Sequence, residues 1–274
     1  IRSCLVGSEM CIRDSCGTKQ RGLKRRGKNL RKLSRRPCCW KEIEMSNIVL
    51  IHGAYQGGWI WQPLASVLRN RGHYVLAPTL EGCAERSYQL HSSITTESHA
   101  QEIANLLFFE DLKDVVLVGT STGGMVMAKV AELVANRVKR LVFADALALM
   151  DGERLSDIVS RKSVVNTDLA SGPPRDDVIN RLFKELHEPI KSWAIARYTL
   201  HPIACMQNPV ELKEFWSMTW DASVIYCNES VNPPISHQKR TADMLSAKWL
   251  ELTTGHYPML SVPEALADSI LSTD

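Results

Sequence analysis

The stretch Val115-Val116-Leu117-Val118-Gly119-Thr120-Ser121-Thr122-Gly123, followed by Gly124 to Ala135 (GMVMAKVAELVA), decides how this chain is read. Val115 to Val118 is short, β-branched and apolar throughout, which is the composition of a strand buried on both faces of a parallel sheet. The run after Gly123 is apolar on most faces and predicts a helix. Between the two lies a Gly-x-Ser-x-Gly. At a strand-to-helix junction this is a nucleophile elbow, whose glycines let the chain turn tightly enough to hold a serine Oγ at the strand tip. An ordinary glycine-rich turn between strand and helix is the competing reading. Placement between the two runs makes Ser121 the candidate nucleophile.

Working outward, strand and helix signals alternate, which implies an α/β fold with a mostly parallel sheet flanked by helices. Strands are predicted at Ile48–Ile51, Tyr74–Ala77, Leu141–Ala144, Val224–Cys227 and Trp249–Leu252. Helices are predicted at Pro63–Arg71, closed by Gly72, at Ser98–Phe109 and at Pro263–Leu271. Residues 148–221 break the rhythm. They hold Pro173, Pro174, Pro189, Pro202 and Pro209, helical signals around Val178–Leu186 and Val210–Trp216, and three tryptophans, Trp193, Trp216 and Trp220. An insertion between two sheet strands lands over the strand tips, where ligands bind in open α/β sheets. The expectation is a helical cap with an apolar acyl or aryl pocket.

Composition bounds the rest. The 274 residues carry a net charge of +3 and are 45% hydrophobic, enough for one domain with a sizeable core. The charge is unevenly spread: residues 1–44 hold 13 Lys/Arg against 4 Asp/Glu, which leaves the remainder acidic. This basic head contains Cys4, Cys11, Cys16, Cys38 and Cys39 and lacks the apolar core of a secretory signal. Cys4–Ser15 resembles translated adapter sequence. Residues 1–44 are therefore expected to be a disordered or artefactual extension, with Met45 opening a single domain over 45–274; a chain starting at Met45 should fold and keep its activity. The domain retains only Cys83, Cys205 and Cys227. An odd number without metal-like spacing reads as free thiols in a reducing, cytoplasmic setting, with no metal and no cofactor. No apolar run approaches the roughly 18 residues needed to span a membrane, and neither a nucleic-acid nor a membrane partner is expected. Oligomeric state is not legible.

A serine hydroxyl is a weak nucleophile and needs a base, normally a histidine oriented by a carboxylate. In an elbow fold the base comes last in chain order. Of eight histidines only His256 follows the final predicted strand, in the short loop Thr253-Thr254-Gly255. His256 is the candidate base. An oxyanion hole needs backbone N–H groups aimed at the developing charge. Thr122, next to the nucleophile, should supply one, and Ala54 in the loop His52–Trp59 the other. His52 is expected to bond loop backbone.

These residues resemble an α/β-hydrolase, and within that superfamily the small serine esterases with a His-Gly-Ala-x-x-Gly-x-Trp-x-Trp loop: plant methylesterases, hydroxynitrile lyases and bacterial relatives. The matching stretches are His52–Trp61, Pro78–Gly82 with Glu85–Ser87, Gly119–Val126, Leu141–Ala146, Asp151-Gly152, and Thr254–His256 with Met259. The resemblance implies the Ala54 and Thr122 roles again, and one departure from it matters. Family members carry the acid just past the penultimate strand, where this chain has Asn228-Glu229-Ser230, with Ser230 at the aspartate position. Two substitutes remain: Asp145, past the strand that follows the elbow, and Glu229. Asp145 is favoured, with Glu229 the alternative acid.

The implied activity is hydrolysis of a small-molecule carboxylic ester through an acyl-enzyme on Ser121. A non-catalytic small-molecule receptor on the same fold is an alternative that the displaced acid keeps open. A hydroxynitrile lyase is another, disfavoured by Gly53 and Tyr257 where such lyases carry threonine and lysine.

Overall fold

The computed structural model describes residues 45–160 and 164–272; the basic head lies outside them. Six parallel strands form the central sheet: β1 (Asn47–Ile51), β2 (Tyr74–Leu76), β3 (Val115–Ser121), β4 (Val138–Ala146), and, after the cap segment, two more. The cap contributes β5 (Val165–Asn166), β6 (Ala170–Gly172) and β7 (His201–Pro202), and the main sheet resumes with β8 (Ala222–Cys227) and β9 (Lys248–Leu252). The order across the main sheet is β2-β1-β3-β4-β8-β9. The chain runs from β1 to one side and returns to β3 on the other. The carboxyl ends of β1 and β3 thus frame a topological switch point, the crevice where ligands bind in such sheets.

Period-two alternation sorts each strand between two cores. Val49, Ile51, Leu117 and Phe143 point to one face; Ile48, Leu50, Val118 and Val142 point to the other. Helices of eight residues or more cover both faces. They are α1 (Gln62–Asn70), α2 (Thr96–Phe109), α3 (Gly123–Leu133), α4 (Ile235–Leu245) and α5 (Pro263–Leu271). Leu64 and Leu68 of α1 and Leu266 of α5 are wholly buried in the second core, each contributing about 1.5–3 kcal/mol by leaving water. Thr95 caps α2 by accepting from the Ser98 N–H, and Gly72 closes α1 at φ +90°, a left-handed conformation that glycine adopts without strain. No helix among the described residues is long and apolar enough to cross a membrane.

Residues 147–221 lie between β4 and β8 and form the expected cap insertion, with a small sheet added to its helices. The added sheet is antiparallel, in the order β5-β6-β7. Around it are short helices at Leu155–Ile158, Ile190–Ile195 and Ile203–Gln207, and a single wide turn at Val178–Leu182. The helix predicted at Val210–Trp216 is absent except for one tight turn at Phe215–Ser217. Its backbone finds partners elsewhere in the cap and on the body instead. Val210 N–H donates to Glu153 O, Leu212 N–H to Asp151, and the Glu214 and Phe215 N–H groups both donate to the Glu132 carboxylate. Once tertiary groups satisfy these donors, helix formation offers nothing further.

Candidate active site

Ser121 closes β3 at φ +49°, a left-handed conformation that costs a non-glycine residue about 1–2 kcal/mol. The surrounding glycines make that turn possible. A Cβ on Gly123 would lie 2.4 Å from Ile51 O and 2.6 Å from His52 O, and one on Gly124 would lie 2.3 Å from Leu147 O. All three are backbone atoms that cannot step aside. Gly53 plays the same part from the opposite loop, where a Cβ would meet Ser121 Cβ at 2.7 Å. The loop after β1 is therefore pressed directly onto the serine, at the switch point of the sheet.

That loop is held by its own side chains. His52 is buried, with Nδ1 2.8 Å from Gly53 O and Nε2 accepting from the Leu80 N–H at 3.0 Å. A carbonyl can only accept, so the ring is neutral with its proton on Nδ1. Burial pushes the His52 pKa down to about 4. The Gly53 N–H is taken by Gln56 Oε1 at 3.2 Å, whereas the Ala54 N–H has no hydrogen-bond partner among the described residues. Thr122 stands at the N-cap of α3, where leading N–H groups have no partner within the helix. Ala54 and Thr122 thus sit on the two loops that converge at Ser121.

His256 lies in the loop after β9, with Nδ1 2.6 Å from Asp145 Oδ2. Asp145 is fully buried and reaches this position through an irregularity in β4. Opposite it, Thr120 pairs with Ala144 and Ser121 with Ala146, so Asp145 is an extra residue in the ladder. It adopts φ +47°, and the bulge re-aims its side chain out of the pleat. Its second oxygen, Oδ1, accepts from Gln238 Nε2 at 2.7 Å, and the same amide reaches Pro233 O at 3.1 Å. Burial alone would lower the His256 pKa. The hydrogen bond and charge of Asp145, together with the charge of Glu185, outweigh it and hold the pKa above the usual value.

The alternative acid, Glu229, is exposed in the turn after β8, and its N–H donates to Thr254 O. Ser230, at the position where a family aspartate is expected, bonds Asn232 O through its hydroxyl. Two site neighbours were missed in the sequence. Gln238 lies on α4, whose buried face is largely polar (His237, Gln238, Thr241) and so carries no apolar periodicity. Glu185 comes from the cap: a Cβ on Gly255 would lie 2.6 Å from its Cγ and 2.9 Å from its Oε1. No motif or periodicity in the sequence marks it.

The cap tryptophans divide. Trp216 and Trp220 give their indole N–H groups to Leu149 O and Phe215 O and pack on Phe215, which makes them structural. Trp193 meets Trp59 of the Ala54 loop edge-on at 5.1 Å. Tyr198 likewise approaches Tyr55 at 5.8 Å, and the Thr199 N–H donates to Tyr55 O. The cap is thus tied to the loops that carry the candidate residues.

A sheet in this order, with a glycine-framed serine at the tip of its third strand and a histidine–carboxylate pair beyond later strands, is an α/β-hydrolase architecture. The chain belongs to the alpha/beta hydrolase family, whose model matches residues 48–269. It is similar to the carbendazim hydrolyzing esterase of Nocardioides sp. (strain SG-4G), 38% identical over 117 residues, 43% of this chain and 48% of that one. It is 27% identical to putative methylesterase 11, chloroplastic, of Arabidopsis thaliana over 180 residues, 59% of this chain and 46% of the relative. Each alignment spans about half of the curated relative. Among solved structures, an extracellular alpha/beta-hydrolase from a Paenibacillus species shares the fold at a TM-score of 0.70 and 23% identity, covering 81% of this chain and 96% of that one.

Proposed function

We propose that the protein is a serine hydrolase of small carboxylic esters and needs no cofactor. In this reading Ser121 Oγ attacks the ester carbonyl and His256 takes the proton. The same proton then passes to the leaving alkoxide, and water, activated by the same base, releases the acyl group. Asp145 holds the imidazole in the tautomer that presents Nε2 and stabilises the imidazolium as it forms. The Ala54 and Thr122 N–H groups bind the oxyanion. Glu229 has no part.

The observation that carries this reading is the 2.6 Å contact between His256 Nδ1 and a fully buried Asp145. A buried carboxylate is costly to keep charged, and here the Gln238 amide on one oxygen and the His256 imidazole on the other offset that cost. The names of the two curated relatives, an esterase and a putative methylesterase, support the same chemistry. Free thiols at Cys83, Cys205 and Cys227 support a cytoplasmic setting.

Hydrolysis of a series of p-nitrophenyl acyl esters of increasing length tests the proposal. Turnover should vanish in Ser121→Ala and fall about 10⁴-fold in Asp145→Asn, with Glu229→Gln unchanged. A Glu229→Gln variant as damaged as Asp145→Asn would move the acid to Glu229. If no ester in the series is turned over and a fluorophosphonate does not label Ser121, the receptor reading takes its place.

A further inference from the structure

A second group of reactive side chains lies in the body–cap boundary, drawn from the body around Cys83–His99 and from the cap stretch His201–Cys205. His99 comes from α2, Cys83 from the turn after β2, His201 from β7 of the cap, and Cys205 from the short helix that follows it. All four are buried. One ligand atom from each of His99, His201 and Cys205 lies within 4.8 Å of the other two. Cys205 Sγ is 3.7 Å from His99 Nδ1, and Cys83 Sγ is 3.5 Å from His201 Nδ1. A nitrogen and a sulfur sharing one tetrahedral zinc ion, at Zn–N and Zn–S lengths near 2.0 and 2.3 Å, stand about 3.5 Å apart.

The surroundings are those of a ligand set as well. His99 Nε2 lies 2.8 Å from Glu81 O. A carbonyl only accepts, so Nε2 carries the proton and Nδ1 turns its lone pair towards Cys205. An outer-shell backbone carbonyl that fixes the tautomer of a ligating histidine is a regular companion of protein metal sites. Nothing in the proposed ester chemistry uses these residues. We propose that His99, His201 and Cys205 bind one thiophilic divalent ion of the zinc class and so tie the cap to the body. Imidazole and thiolate donors select this class over calcium or magnesium.

Charge balance is straightforward. The dication enters and two neutral imidazoles ligate it. The Cys205 thiol releases one proton to solvent, and the fourth position of the tetrahedron is left to water. No electron is transferred. The sequence shows this set only in part: His201 and Cys205 stand four residues apart, whereas His99 comes from a separate helix.

The test is metal uptake by the full chain, reduced and stripped with a chelator, then titrated with Co²⁺ as a spectroscopic stand-in for Zn²⁺. The expected result is a near-ultraviolet thiolate-to-cobalt band with tetrahedral visible bands, saturating at one ion per chain. Cys205→Ser should abolish the thiolate band, and Cys227→Ser, a buried thiol elsewhere, should leave it intact. Zinc at a thousandfold excess over its Kd should raise the thermal midpoint by about 8–16 °C.

The five cysteines of residues 1–44 are the obvious competitors, and that segment contains no histidine. X-ray absorption at the zinc edge of the wild-type chain therefore decides even if Cys205→Ser fails to fold. A mixed nitrogen–sulfur shell supports the cap site. An all-sulfur shell, a thiolate band that survives Cys205→Ser, or no uptake by the reduced chain overturns it.

Discussion

Ser121 and Asp145 share a backbone conformation that ordinary residues avoid, with φ of +49° and +47°. Each lies at the carboxyl end of a strand, one on β3 and one on its neighbour β4. The serine was legible because glycines flank it; the strain at Asp145 was not, since a bulge leaves no compositional mark. His256 stood out by chain order alone. Its raised pKa has a direct consequence for rate. The base works only when neutral, so kcat/KM should climb with pH through an apparent pKa above the ordinary histidine value of about 6.5. Glu185→Gln removes one of the negative charges that raise it. The acid limb of that variant's pH–rate profile should move to lower pH while the plateau persists. An unmoved limb would mean that Glu185 is too well solvated to be felt at His256.

At the level of elements, the elbow is a contact between backbones, and its tolerance is correspondingly small. Gly123→Ala places a methyl 2.4 Å from a carbonyl oxygen of β1, so the start of α3 and β1 must part at the site. The expected outcome is a loss of about 1–3 kcal/mol in stability, read by urea unfolding, with turnover falling at least tenfold. α4 supports Asp145 through a single amide. Gln238→Ala leaves one oxygen of a buried carboxylate without its donor, for a cost of about 1–3 kcal/mol. Unfolding experiments should show this loss, and a stability within 0.5 kcal/mol of wild type would show that another donor fills the gap. The main strands and α1, α2, α3 and α5 were readable because each buries an apolar run with a definite period. α4 was not readable, because the side chains it buries are polar. Within the cap the helix expected at Val210–Trp216 failed for a different reason: its backbone N–H groups bond to acceptors elsewhere in the fold, which local propensity does not contain.

Across the whole molecule, acid should be the weak flank. His52 and His237 are both buried, and burial is the leading cause that takes each pKa down to about 4. Unfolded, each imidazole takes up a proton from about pH 6.5. Between pH 6.5 and 4 the unfolded chain therefore holds more protons than the folded one, and stability falls as pH falls through that window, levelling below it. Each residue contributes roughly 3 kcal/mol to the drop at full protonation. Urea midpoints measured from pH 8 to pH 4 should trace this slope, and His237→Gln should flatten it. A midpoint that is independent of pH across the window would show that the folded chain opens to protonate these rings at little cost.

The bulge in β4 also changes what other segments are free to do. In the proposed machinery the acid and the nucleophile ride on adjacent strands, so the turn from Asn228 to Pro234 carries no chemical duty. Its exposed side chains Glu229 and Val231 are open to replacement. Both positions can carry a tag or fluorophore, provided the backbone keeps Glu229 N–H on Thr254 O and Pro233 O on the Gln238 amide.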